Sequence, residues 1–294
     1  PVVMLAFHAI RGPTANNLRA GFLIIASVAF YLWTGLHNAT VLAFSLTVTF
    51  ACGRLLTRLD SGREPLRRGL MWLGVAANIG LLAAFKISAM DLSNADGFRT
   101  EEHILIPLGL SYVTFQQIGF IVACRRRQIT APSLRDYLFF ITFFPHLIMG
   151  PIVRFRDMAD QLRERCLSRV TAVDVSTGLS IFVFGLAQKV LLADQIAPAV
   201  DRIFQAAQAG PISPFESWFG IVAFQMQLYF DFVAYADMAI GLARMFGIRL
   251  PINFDRPLFA TDRFDLWRRW HITFAIFMRT HVFQPLVRRR RVSV

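Results

Sequence analysis

The side chains able to do chemistry in this 294-residue sequence are few, and most sit in apolar surroundings. Six histidines occur: His8, His37, His103, His146, His271 and His281. His8, His37 and His103 lie near chain ends or in loops, where an imidazole is simply solvated. His146 stands inside FFPHLIMGPIVRF, where an imidazole needs a polar partner; it is expected to be structural and to tie a bent backbone together. His271 is the most informative. If residues 267–281 form one helix, Trp267, Trp270, His271, Phe274, Met278 and His281 share a face about 100° wide, with Arg268, Arg269 and Arg279 on the other side. Burial in that aromatic stripe lowers the pKa of an imidazole and keeps it neutral, as a general base must be. The competing reading is an interfacial helix with snorkelling arginines and anchoring tryptophans. His271 and His281 are roughly 15 Å apart along such a helix, too far to share one metal ion.

Two carboxylates, Asp231 and Asp237, lie in the apolar run LYFDFVAYADMAIG. Carboxylates at membrane depth are functional candidates, but six residues of helix place these two about 120° apart, so they are not an acid/base pair. Asp231 and Tyr235 share a helix face. Pairing of Asp231 with an arginine of a neighbouring segment is the alternative. The lysines, Lys86 and Lys189, stand near the ends of apolar runs and are expected to snorkel. The sequence has no phosphate loop, no G-x-S-x-G and no Cys/His zinc spacing, so no metal is expected. Cys52, Cys124 and Cys166 form no disulfide framework.

The elements that would hold these groups are membrane helices. The chain is 55% hydrophobic and only 17% charged, with mean hydropathy +0.49, whereas a soluble domain is usually about 25% charged. Its formal charge of +12 sits in short clusters between long apolar runs, the pattern of membrane-protein loops rather than of nucleic-acid binding. Apolar runs cover 21–33 continuing through 39–52, then 70–89, 104–124, 137–153, 175–193, 218–246 and 270–286. Arg54, Arg58, Arg63, Arg67 and Arg68 mark one break as cytoplasmic, and the acidic stretch 91–103 is outside. Arg125, Arg126, Arg127 and Arg135 return the chain inward. The stretch 193–216 is outside, and Arg249, Arg256, Arg263, Arg268 and Arg269 bring the chain back.

Two runs break this alternation. Residues 137–153 and 270–286 carry arginines on both flanks, and the first also holds Pro145, Gly150 and Pro151, which free backbone groups that lipid cannot satisfy. Both are expected to be re-entrant or protein-buried, around a cavity. The fold class is therefore an all-α polytopic membrane protein, read as a single domain over 1–294.

Four ordered motifs, IPLGLSYVTFQQIGFIV, FFPHLIMGPIVRF, YFDFVAYADMAIGLARMFGIRLPINFDRP and FDLWRRWHITFAIFMRTHVFQPL, resemble the membrane-bound O-acyltransferases. The resemblance is closest to the bacterial branch with the alginate O-acetylation and D-alanine export proteins. It implies a helical bundle with re-entrant segments around a funnel or tunnel. It also implies transfer of an acyl group from a cytoplasmic thioester donor, acetyl-CoA or an acyl carrier, toward a hydroxyl. Of the family's active-site pair, His271 occupies the W-R-R-W-H position; the second histidine would follow Val294, so the domain is expected to be incomplete at both ends. By this resemblance the second histidine would be the general base, and His271 would orient it or hydrogen-bond the thioester carbonyl. By the same resemblance Trp267, Trp270, Asp231 and Tyr235 would line the substrate passage, and Arg279 would attract the donor's phosphates. Two departures stand out: Arg279–Thr280–His281 replaces the branch's usual Arg-Asp-Tyr, and Val233 and Ala236 replace small hydroxylated residues.

The function that follows is acetylation, or another short acylation, of a cell-surface polysaccharide such as alginate, in the bacterial inner membrane. Lipid, the acyl donor and a partner acyltransferase or export machinery would be its partners; nucleic acid would not. The alternatives are an acyl-passage or transporter-like scaffold, suggested by the broken segments and Asp231 and Asp237, and an inactive truncated family member.

Overall fold

The computed structural model describes residues 2–94, 107–284 and 287. Among them every regular element is helical. Five helical segments are long and apolar enough to cross a membrane: Ala15–Leu32, Leu36–Arg58, Glu64–Ala89, Ala172–Ala209 and Pro214–Met245. The chain divides into two units, 1–148 with 152–169 and 276–294, and 149–151 with 170–275.

The first unit begins with α1 (Val2–Ala9), α2 (Ala15–Leu32), α3 (Leu36–Arg58) and α4 (Glu64–Asn94). The run expected at 104–124 is α5 (Leu110–Arg125), most of whose side chains are buried in protein; 104–106 lie outside the described residues, as does most of the acidic loop before them. Helices α3, α4 and α5 pack closely because glycines face large side chains. A Cβ on Gly53 would fall 2.4 Å from Phe120, and one on Gly74 would fall 2.9 Å from Ile121. A polar seam threads this packing, with Ser45 donating to Gln117 at 2.8 Å and Asn78 donating to Thr49 at 2.9 Å. The basic clusters meet at one end of the unit. Arg67 donates to the Arg125 carbonyl, Arg54 to that of Pro132, and Glu64 pairs with both Arg67 and Arg125.

The run 137–153 is broken, as its prolines and glycine demand. Helix α6 (Leu134–Thr142) stops at Phe143, a single turn α7 (Phe144–Leu147) follows, and irregular chain leads to α8 (Phe155–Arg163). Tyr137, Phe139, Phe140, Ile141 and Phe143 are wholly buried in protein, and the Phe144 N–H freed by the break donates to Ser27 Oγ at 3.0 Å. His146 departs from its expected role. Its ring is fully buried against Tyr112 and Phe143, and neither nitrogen has a hydrogen-bond partner among the described residues. Packing holds this imidazole, and the break is tied by Ser27 instead.

In the second unit α9 (Ala172–Gln188) continues through a π-helical turn (Lys189–Ala193) into α10 (Asp194–Ala209), and α11 (Pro214–Met245) runs back along it. Capping boxes fix both starts: Thr171 with Asp174 on α9, Ser213 with Glu216 on α11. The two helices touch through small residues. A Cβ on Gly185 would sit 2.8 Å from the Ala234 carbonyl, and one on Gly241 2.5 Å from the Phe182 nitrogen. Lys189 is ion-paired. Its ammonium pairs with Asp194 at 2.8 Å and Asp231 at 2.6 Å, so the partner of Asp231 is this lysine and not an arginine.

Candidate functional site

The stretch 267–281 is not one helix. Helix α12 (Arg263–Arg269), capped by Asp262, ends where Trp270 turns extended with ψ 127°, and α13 (Ile272–Met278) begins after His271. A π-helical turn, Arg279–Phe283, follows. His271 itself has φ +42°, a left-handed conformation unusual for a residue with a Cβ. The single aromatic face therefore does not exist as such, and His271 stands at a joint, not on a stripe.

The joint is built by a second segment, the loop after α11. The Asp255 N–H donates to the Arg269 carbonyl at 3.0 Å, and the Ile272 N–H donates to the Asn253 carbonyl at 2.8 Å, so the two segments bracket Trp270 and His271. Asn253 is fully buried, and its Oδ1 receives three bonds: from the Thr273 N–H at 3.3 Å, from the Thr273 hydroxyl at 2.8 Å and from His271 Nδ1 at 3.0 Å. Asn253 thus caps the first turn of α13 from outside that helix. The Thr273 N–H can only donate, which identifies the amide atom facing it as oxygen. His271 Nδ1 must then carry the proton, and Nε2 is left with its lone pair.

Aromatic rings surround that imidazole. Phe232 of α11 meets it edge-on at 4.8 Å between centroids, Phe274 stacks at 5.1 Å and Phe254 at 6.2 Å. Burial lowers its pKa to about 4, so the ring is neutral at physiological pH. Trp270 packs on Phe254 and Tyr229, whereas Trp267 is largely exposed on α12. Asp231, next to Phe232 in sequence, turns to Lys189, and Tyr235 is half-buried one turn on with no hydrogen bond to it among the described residues. Arg279 is exposed at the start of the π turn in the first unit, where His281 stacks on Phe277 at 4.5 Å. No cluster of three or more metal-ligating side chains occurs among the described residues. Asn253, Thr273, Phe232 and Phe254 escaped the sequence reading. The Asn-Phe pair of PINFDRP, polar beside aromatic, is the local signal for Asn253 and Phe254.

The family model described as MBOAT, membrane-bound O-acyltransferase family, matches residues 66–293. The chain belongs to the membrane-bound O-acyltransferase family. Similar members include the peptidoglycan O-acetyltransferase of Helicobacter pylori, 31% identical over 97% of this chain and 59% of that protein. The probable alginate O-acetylase AlgI of Pseudomonas aeruginosa is 32% identical over 97% of this chain and 54% of its own length. The teichoic acid D-alanyltransferase of Bacillus subtilis is 27% identical over 76% and 57%. This O-acyltransferase-family chain thus spans a little over half the length of these relatives. Its family membership and its long apolar helices make it a multi-pass membrane protein.

Proposed function

We propose that this chain carries the histidine centre of a membrane-bound O-acyltransferase. The acyl group, acetyl or another short one, would come from a cytoplasmic thioester such as acetyl-CoA or an acyl carrier. It would go to a hydroxyl of a cell-surface polysaccharide, with alginate one candidate and the inner membrane the setting. The observation that supports this best is the neutral His271 ring, held through Nδ1 by Asn253 with Nε2 bare among the described residues, inside the W-R-R-W-H motif. A bare Nε2 accepts a proton and cannot donate to a thioester carbonyl. His271 is therefore assigned the accepting role. As the acceptor oxygen attacks the carbonyl carbon, its proton passes to Nε2 and a C–O bond forms. When the tetrahedral intermediate collapses the C–S bond breaks, and the imidazolium returns the proton to the leaving thiolate.

Trp270 would form part of the passage wall beside the ring; Trp267, Asp231, Tyr235 and Arg279 are assigned to the passage and to donor attraction by resemblance alone. A partner acyltransferase or export machinery would receive the acyl group or the polymer. The His271→Ala protein, made at wild-type level in cells producing the polymer, is expected to leave that polymer unacylated; acylation at the wild-type level removes the assignment. Incubation of the purified protein with labelled acyl donor and acceptor separates enzyme from passage scaffold. The enzyme yields covalent product without a partner.

A further inference from the structure

Outside this site, the first unit holds a cationic cavity that acyl transfer does not use. It is about 280 Å³ in volume, near the low end of ligand pockets at about 300–1,000 Å³. The start of α2, with Thr14 and Asn16, forms one wall, and Arg135 of α6 with Arg163 at the end of α8 and Arg165 just after it form the others; no carboxylate lines it among the described residues.

The charge is in excess. Arg135 is neutralised by Asp136 and steadied by Asn17. Arg163 shares Asp160 with Arg156, two guanidiniums to one carboxylate, and Arg165 has no ion pair among the described residues. Thr14 makes no side-chain cap to α2, so the positive end of that helix is uncompensated. Asn16 adds an independent requirement. It is only 7% exposed, and its Nδ2 donates to the Leu162 carbonyl at 3.0 Å, which leaves Oδ1 buried without a donor among the described residues. An occupant that satisfies the cavity is therefore an anion that also carries a hydrogen-bond donor.

We propose that this cavity binds the headgroup of an anionic phospholipid of the cytoplasmic leaflet. The phosphate lies against Arg163, Arg165 and the first turn of α2, and a headgroup hydroxyl donates to Asn16 Oδ1. Basic pockets beside spanning helices on the cytoplasmic side bind such headgroups.

The test uses the full chain in lipid nanodiscs of phosphatidylcholine with a minor share of phosphatidylglycerol, transferred to detergent for native mass spectrometry. The wild type is expected to retain phosphatidylglycerol, which has both phosphate and hydroxyl donors, in preference to phosphatidylcholine, which lacks the donor. In the Arg163→Gln, Arg165→Gln double variant, retention falls by about fivefold per arginine. Both side chains are exposed, so an unchanged thermal unfolding midpoint shows that the variant is folded. Equal retention by variant and wild type, or equal retention of the two lipids, overturns the proposal. Displacement of the lipid by micromolar glycerol phosphate also overturns it, since the site would then be one for a soluble phosphate ester.

Discussion

Replacing Asn253 by alanine takes one oxygen from three donors at once: the His271 ring, the Thr273 N–H and the Thr273 hydroxyl. The buried N–H left behind costs about 1–3 kcal/mol, and His271 is free to exchange tautomers. Acyl transfer by Asn253→Ala is expected to fall by about tenfold or more. Asn253→Asp keeps an accepting oxygen toward Nδ1 and is expected to preserve the tautomer, read directly from the imidazole ¹⁵N shifts of His271. Identical ring shifts in wild type and Asn253→Ala would show that Asn253 does not set the proton. His146 carries a pH prediction. Burial lowers its pKa from 6.5 to about 4, as it does that of His271. Between those values the unfolded chain binds a proton that the folded chain does not, so stability is full above about pH 6.5 and declines as pH falls toward 4. Thermal unfolding across this window should show the decline, and a His146→Leu variant should flatten it by one proton's share. The sequence pointed to His271 through its W-R-R-W-H motif and nearby Phe274, whereas the contacts with Phe232 and Phe254 come from segments far from it in the chain. Asn253 was not legible, because only folding brings a side chain eighteen residues away onto the ring.

Helical periodicity misled at one place for a clear reason. Trp267 to His281 contains neither glycine nor proline, and its aromatics fit a 3.6-residue repeat, so nothing local announces a joint. The interruption at His271 comes from the 253–255 loop, whose backbone bonds to Arg269 and Ile272 compete with helix continuation. Where the break was written into composition, as with Pro145, Gly150 and Pro151, it was legible, although the Ser27 bond that ties it was not. The π turn at Lys189–Ala193 was hidden too, since the Lys189 contact with Asp231 arises only when α9 lies along α11. That contact supplies a prediction. Gly185 leaves no room for a Cβ, so Gly185→Val must push α9 away from the Ala234 and Asp237 segment of α11. Overpacking of this kind costs about 1–3 kcal/mol. A matching drop in the unfolding midpoint of the purified protein is expected, and an unchanged midpoint would mean the helices are less closely apposed.

At the scale of the whole molecule, the all-α membrane character was legible because apolar runs and arginine clusters are compositional facts. The division into two units was not, since it depends on which helices pack together. The inferred orientation is supported inside the first unit. Clusters assigned to one side from charge alone, Arg54 to Arg68 and Arg125 to Arg127, meet through Arg67 and Glu64, and the start of α2 meets Arg135 through Asn17. By the positive-inside rule this end is expected to face the cytoplasm. Single cysteines in a Cys166→Ser background test the orientation, because Cys52 and Cys124 are buried. Each site chosen is exposed: His37 at the start of α3, Gln208 near the end of α10, Arg63 before α4 and Arg156 on α8. A membrane-impermeant maleimide added to intact cells with a permeabilised outer layer should label His37→Cys and Gln208→Cys. Arg63→Cys and Arg156→Cys should react only after the inner membrane is opened. The reverse pattern would invert the topology and put His271, which follows Arg268 and Arg269 directly, on the side away from any cytoplasmic thioester. The phospholipid site requires the arginine-rich end of the first unit to face the cytoplasm, and the acyl-transfer mechanism requires the same of the loop that carries Arg268 and Arg269, so this one labelling experiment bears on each.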